Sequence, residues 1–324
     1  MQEAIHQVCR YLRSVILRYL VIISLLFVSA CTERETPLRL GTNVWPGYEP
    51  LYLARELGYL DPGRVRLVEL LSGSEVIRAY RNGALDIAAL TLDEALLLAQ
   101  SGVGVQVMLV TDTSYGADVI IAHEGDDPRD LIGKRVGFES TALGAYVLNR
   151  ALEIYGIGMG QIHPVSLEFN EHEKRFLEHA VDAVVTFEPV RSRLLERGGN
   201  LLFDSRKIPG EIIDVLVVRP SVASSRPEEV RHLIESWYRS IDYLEQQPRK
   251  SLRMMSPRLG LEPDQVAGAL SLLYIPKAQE NRTMLEKGGV VSNQVKRLNR
   301  VMLEAGLLER AVDPAQLLGM AEQR

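Results

Sequence analysis

The sequence predicts an α/β protein of two lobes, each a mostly parallel sheet flanked by helices, with a helical carboxy-terminal segment. Three observations predict it. Short apolar strands alternate with loops and helical patterns over residues 38–218, the order that builds parallel sheets. The alternation falls into two blocks, divided near Thr111 to Asp118. From Arg226 onward the pattern is nearly all helical. A second passage between the blocks, near Glu211 to Arg219, inserts one lobe in the other. The expected division is 38–115 with 216–324 as the first lobe and 116–215 as the second.

Leu38 to Val44 reads as the first strand. Two prolines and a glycine make Trp45 to Pro50 a turn. Leu51 to Leu57 follows with helical spacing, closed by Gly58. Val65 to Leu71 is a strand, and Ser72-Gly73-Ser74 leads into a helix from Glu75 to Asn82. Asp86 to Leu90 is a third strand, Glu94 to Gln100 a helix, and Val105 to Val110 a fourth strand. The second block repeats this plan. Its strands are Val119 to His123, Arg135 to Phe138, His163 to Leu167, Ala183 to Thr186, Leu201 to Phe203 and Ile212 to Val218. Its helices are Leu143 to Tyr155, Glu171 to His179 and Val190 to Arg197. The tail supplies helices Pro227 to Gln246, Ser251 to Leu259, Asp264 to Leu273, Asn293 to Ala305 and Pro314 to Met320.

The 324 residues are 46% apolar and 24% charged, ordinary for a chain with a sizeable core. Arg10, Arg13 and Arg18 accompany ten apolar residues, Tyr19 to Val28. That run suits the hydrophobic region of an export signal and is short for a membrane span. It ends in Val28-Ser29-Ala30-Cys31, small residues before a cysteine, which resembles a bacterial lipobox. Residues 1–31 are therefore expected to be a signal peptide with lipobox, Cys31 the lipidated residue, and 32–37 a tether. The rival reading is a plain membrane anchor with an incidental cysteine. Cleavage before Cys31 removes three arginines and Glu3, taking the net charge from −5 to −7. Mild acidity without a basic stripe argues against nucleic acid as a partner. Cys9 and Cys31 are the only cysteines, so the body offers neither a disulfide nor a thiolate metal site.

In open α/β sheets, ligands bind beyond the carboxyl ends of strands, beside helix amino termini. Five such loops carry polar or aromatic residues: Trp45–Glu49, Ser72–Ser74, Thr91–Glu94, Glu139–Ala142 and Thr186–Glu188. Ser72, Gly73 and Ser74, and likewise Ser140 and Thr141, present backbone donors and hydroxyls suited to an anionic group. Trp45 and Tyr48 offer flat apolar faces with polar edges. Glu49, Asp93, Glu188 and Asp214 are acceptors for a nitrogen-bearing group. The plainer readings are that Thr91, Asp93 and Thr141 cap helices, that Glu188 with Pro189 shapes a helix start, and that Trp45 packs between lobes. Asp214 in an apolar strand is costly if buried unpaired, so it belongs at a hinge surface or paired in the cleft.

The chain has no Gly-x-Ser-x-Gly elbow, no phosphate loop, no His-Glu-x-x-His and no Gly-x-Gly-x-x-Gly after the first strand. His172 and His179, with Glu171, Glu173 and Glu178 nearby, could ligate a metal; a solvated helix face is the plainer reading. No enzyme activity, cofactor or metal is expected.

Gly41-Thr42-Asn43-Val44-Trp45-Pro46-Gly47-Tyr48-Glu49-Pro50, followed by Leu51-Tyr52-Leu53-Ala54, resembles the sulfonate, nitrate, taurine and thiamine-precursor binding proteins of bacterial ABC importers. Asn82-Gly83-Ala84-Leu85-Asp86, Leu131-Ile132-Gly133-Lys134-Arg135-Val136-Gly137 and Asp182 to Pro189 resemble that family's further segments, in its order. The resemblance covers about residues 38 to 240. It implies a type II periplasmic-binding fold that closes on a ligand near Trp45, Ser74, Thr91, Thr141 and Glu188. It implies an ABC permease and its ATPase as partners and a place on the periplasmic side; the lipobox reading adds a lipid anchor to the membrane. A monomer is expected. The ligand would be a sulfonate, another organic anion or a pyrimidine-like heterocycle; the carboxylates argue against a bare anion such as nitrate. Eukaryotic relatives that make a thiamine pyrimidine use a cysteine-rich segment, which this body lacks. The alternatives are a periplasmic sensor partnering a signalling receptor, or an enzyme on this fold with Glu188 or Asp214 as base.

Overall fold

The computed structural model describes residues 36–140 and 143–319, together with Ile16. The chain divides into residues 1–36 and a body of 37–324. Apart from Ile16, the expected signal with Cys31 and most of the tether lie outside the described residues, as does Thr141.

In chain order, β1 (Leu38–Thr42) leads through a 3-10 turn into α1 (Glu49–Glu56), then β2 (Val65–Glu69), α2 (Gly73–Arg81), β3 (Ile87–Thr91), α3 (Leu92–Gln100) and β4 (Gln106–Ser114). Then come β5 (Asp118–Ala122), β6 (Arg135–Phe138), α4 (Leu143–Tyr155), β7 (His163–Ser166), α5 (His172–Leu177), β8 (Ala183–Phe187), α6 (Val190–Glu196) and β9 (Asn200–Asp204). The chain returns through β10 (Ile213–Val218) into α7 (Pro220–Ser225), α8 (Pro227–Gln246), α9 (Pro248–Leu259) and α10 (Pro263–Leu270). It finishes with β11 (Leu273–Tyr274), α11 (Ala278–Leu285), α12 (Val290–Glu304) and α13 (Pro314–Leu317).

The strands form two sheets, ordered β11-β4-β10-β3-β1-β2 and β7-β6-β8-β5-β9. In the first, β1 is parallel to β2 and β3, while β10 is antiparallel to β3 and β4. In the second, β6 is parallel to β7 and β8, while β5 is antiparallel to β8 and β9. The two-lobed α/β fold is present, and its sheets are mixed. A parallel pair needs a crossover connection; β5 and β10 each come straight from the other sheet and enter from the opposite end. β10 belongs wholly to the first sheet, so the boundary expected after residue 215 falls before Ile213.

The central strands are apolar on both faces because both are covered. On one face of the first sheet, Leu233, Trp237 and Ile241 of α8 pack with Leu40 and Leu51; on the other lie Val76, Leu96, Leu298 and Met302. Each buried aliphatic side chain contributes roughly 1.5–3 kcal/mol. Within each lobe one arginine clamps the entry to a central strand. Arg39 reaches Asp86 through Nε (3.0 Å) and Nη2 (3.0 Å) and donates to the Gly83 carbonyl. Arg135 does the same to Asp182 (3.1 and 2.7 Å) and the His179 carbonyl.

Three elements escape the sequence reading. The two-residue β11 occupies an edge position beside β4, and the helix expected over Asp264 to Leu273 stops at Leu270 to make room for it. α7 and α11 are short helices that were not expected. The two passages between sheets lie side by side: Ser205 Oγ accepts from Gly116 N (2.6 Å) and is 2.8 Å from Ser114 Oγ. Gly116 has φ 110°, a conformation that only glycine adopts without strain.

Candidate ligand cleft

The carboxyl ends of the parallel strands in both sheets face a common cleft. Thr91, Asp214 and Asp112 sit abreast on β3, β10 and β4. Asp118 and Phe187 sit abreast on β5 and β8. The closed lobes leave a cavity of about 20 Å³, room for about one water. Asn43, Trp45, Tyr48 and Gly73 line it, with Thr91, Glu94 and Asp214, from the first lobe. Asp118, Glu139, Leu143 and Phe187 line it from the second.

One wall is aromatic. Trp45 meets Phe187 edge-on at 5.6 Å, and Phe187 stacks on Phe169 at 4.1 Å. The Trp45 ring N–H donates to Asp112 Oδ2 (3.2 Å), and the Tyr48 hydroxyl donates to Asp214 Oδ1 (2.5 Å).

The charged part of the lining is acidic, and Asp112 stands behind it at Trp45. Burial pushes the carboxyls of Asp112 and Asp118 up to about 7. Burial, with the nearby charge of Asp112, holds Asp214 well above the usual carboxylate range. Glu94 is raised by burial and by Asp93 and Glu139. Among the described residues, four carboxylic acids line the cavity and no basic side chain does.

The amino termini of α2 and α3 do not stand open. Ser72 caps α2 by accepting from Glu75 N, and its hydroxyl donates to Glu168 across the cleft (2.5 Å). Ser74 donates to Glu139 Oε1 through both its backbone N–H (2.6 Å) and its hydroxyl (2.5 Å). The expected anion site at Ser72–Ser74 thus holds the protein's own carboxylate, delivered from the opposite lobe. At α3, Glu94 Oε2 accepts from Thr91 N (3.0 Å), closing a capping box. A Cβ at Gly73 would stand 3.0 Å from Glu94 Oε1, so a side chain there would press on the end of that carboxylate.

Several expected residues lie elsewhere. Glu49 is buried but turned from the cleft; it pairs with Arg258 of α9, whose guanidinium also covers the Tyr52 ring at 3.5 Å. Glu188 is fully buried and turned into its own helix start. It accepts from Arg191 Nη1 (2.9 Å) and the Ser192 hydroxyl (2.9 Å), the helix-shaping reading. Ser140 is exposed and pairs with Ser166 (2.8 Å). Asp93 is buried in the first turn of α3, outside the cavity lining. His172 and His179 do not share a helix face, because α5 ends at Leu177. His172 is buried, 3.1 Å from Thr186 Oγ1, and burial lowers it to about 4; it is no solvated residue. His179 turns the chain with φ 54° and stacks on His123. Among the described residues no cluster of ligating side chains could hold a metal. Asp112 and Asp118 went unnoticed in the sequence, although aspartate beside apolar strand residues is the signal that marked Asp214.

A family model described as the NMT1-like family matches residues 32–256. The chain is 27% identical over 169 residues to the taurine-binding periplasmic protein of Escherichia coli (strain K12), covering 51% of this chain and 52% of that one. It spans about half the length of this curated relative. The alkanesulfonate-binding protein of Xanthomonas axonopodis pv. citri, solved bound to MOPS, superposes with a TM-score of 0.74 at 20% identity, over 88% of this chain and 98% of that one. The periplasmic aliphatic sulphonate binding protein of Escherichia coli superposes with a TM-score of 0.69 at 20% identity, over 87% and 97%. At these identities the likeness to solved structures is one of fold.

Proposed function

Since this chain belongs to the NMT1-like family, we propose that it is the extracytoplasmic substrate-binding component of an ABC importer, capturing a small organic ligand between its lobes. The observation that carries this reading is the cavity itself. It is lined from both sheets, at the carboxyl ends of their parallel strands, beside two passages bound together at Ser205. Such an arrangement opens and shuts by rotation about the passages. The taurine-binding relative supports a small, polar organic ligand. Cys31 carries the lipid anchor, and an ABC permease with its ATPase receives the ligand. The protein is a monomer, and it binds its ligand rather than transforming it.

The test uses the rarity of cysteine. With Cys9 and Cys31 replaced by serine, Arg66→Cys in the first lobe and Lys134→Cys in the second supply exposed sites for a dye pair. A ligand that closes the lobes raises energy transfer between the dyes and is recovered unchanged. Turnover of that ligand refutes the binding-module reading.

A further inference from the structure

The donors and acceptors of the cleft do not balance. The amino terminus of α2 spends its Ser74 donors on Glu139, α3 spends the Thr91 N–H on Glu94, and Tyr48 spends its hydroxyl on Asp214. Among the described residues, Asp118 Oδ2 on the cavity wall is buried and accepts from nothing, and so is Asp112 Oδ1 behind Trp45. Three arginines are engaged with other acids, Arg191 with Glu188 and Arg206 with Asp204 in the second lobe and Arg78 of the first lobe with Glu168, though Arg191 Nε is left without a partner. An anion entering this cavity finds the Ser74 and Thr91 donors taken and meets carboxyl groups on both walls. A group that brings positive charge and N–H donors finds acceptors without partners and aromatic faces beside them.

We propose that the ligand of this cleft is a small organic cation, its charged nitrogen between Asp118 of β5 and Asp214 of β10 and its planar or apolar part against Trp45 and Phe187. This deepens the receptor reading and rests on it. Glu139 takes the place, at the amino terminus of α2, that an anionic group of a ligand would take, so the closed lobes are joined by an acid of the protein. Asp214 of β10, Glu94 of α3, Asp118 of β5, Glu139 after β6 and the Tyr48 hydroxyl line the cavity around the nitrogen; Asp112 of β4 stands behind Trp45, and Asp93, Glu188 and His172 are buried close to Asp118. Each proton the lining carboxyls hold must leave, or be shared, when the cation arrives. Affinity therefore rises with pH between about 5.5 and 8.

The test compares probes of one shape and opposite charge: benzamidine and benzylamine against benzenesulfonate, with taurine as a zwitterion. Binding to the purified protein is followed by calorimetry at pH 5.5 and pH 8, and lobe closure by the dye pair. The expected result is binding of at least one cation, at least tenfold tighter at pH 8, with no binding of benzenesulfonate. Asp118→Asn and Asp214→Asn, which keep the shape of the side chain, each weaken the cation at least tenfold and flatten its pH dependence. Closure driven by benzenesulfonate or taurine, with neither cation binding, overturns the inference and leaves the receptor reading standing. No binding and no closure with any probe overturns both. Cation binding that Asp118→Asn and Asp214→Asn leave unchanged also overturns the assignment of the site.

Discussion

Replacing Asp118 by asparagine should remove one share of the protein's loss of stability at high pH. In the folded protein burial pushes this carboxyl up to about 7; the Ser114 hydroxyl opposes the shift, and the acids Asp93 and Glu188 add to it. In the unfolded chain it is an ordinary aspartate near 3.9. Between those two values the folded state keeps a proton that the unfolded state has released. The stability associated with that proton is fully present below about pH 4 and falls as pH rises, until the folded group ionises near 7. The interval is about three pH units at about 1.4 kcal/mol each, or about 4 kcal/mol at most. About two of those units lie between pH 5 and pH 7, or roughly 2.7 kcal/mol; at roughly 2 °C per kcal/mol for a body of this size, Asp118 alone lowers Tm by up to about 5 °C between pH 5 and pH 8. Asparagine has no proton to lose. Melting curves of the native protein and Asp118→Asn, recorded from pH 5 to pH 8, should therefore diverge, the variant being relatively more stable at pH 8. Curves that stay parallel across the range would refute the reasoning.

Three further outcomes are expected. Glu139→Gln leaves the two Ser74 donors facing a neutral acceptor, which weakens charge-assisted hydrogen bonds worth about 1.5–3 kcal/mol each; the lobes open, and X-ray scattering should record a larger radius of gyration. Gly116→Ala forces a side chain onto a φ of 110° and brings Cβ within 3.2 Å of Leu272, so the denaturation midpoint should fall by an amount equivalent to about 1–3 kcal/mol. Cys31→Ser should abolish incorporation of radiolabelled palmitate in cells; undiminished label would locate the lipid elsewhere or return the segment to a plain anchor.

Periodicity and turn residues carried most of the architecture. Arg135–Phe138, Leu143–Tyr155 and Pro227–Gln246 fall on the bounds read from the sequence, because each has a clean period and a Gly or Pro near its ends. β11 has no period to read in two residues; only the free edge of β4 makes it a strand. Strand ends placed Trp45, Tyr48, Gly73, Thr91 and Asp214 on the cavity wall. The same rule misjudged residues whose partners are distant. Glu49 answers to Arg258, 209 positions away, and Glu139 reaches Ser74, 65 positions away; no local pattern encodes either pairing. Asp112 and Asp118 were hidden by a boundary error: β4 was expected to stop at Val110 and β5 to start at Val119, so both acids fell in a supposed loop.

The strand orders contain a symmetry. Read from their outer parallel strand, β2-β1-β3-β10-β4 and β7-β6-β8-β5-β9 have the same sense at every pairing. The arginine clamps of Arg39 and Arg135 span 47 residues in both. Yet β5 follows β4 in the chain and lies in the other sheet, and β10 follows β9 and lies in the first. The molecule is thus built as two half-chains of five strands, each lending its fifth to its twin, a strand-exchanged dimer joined into one polypeptide. Neither lobe is complete without a strand from the other half. Cutting the chain between them would yield two incomplete sheets instead of two lobes, and the joints on which the lobes turn are the two exchanged arms.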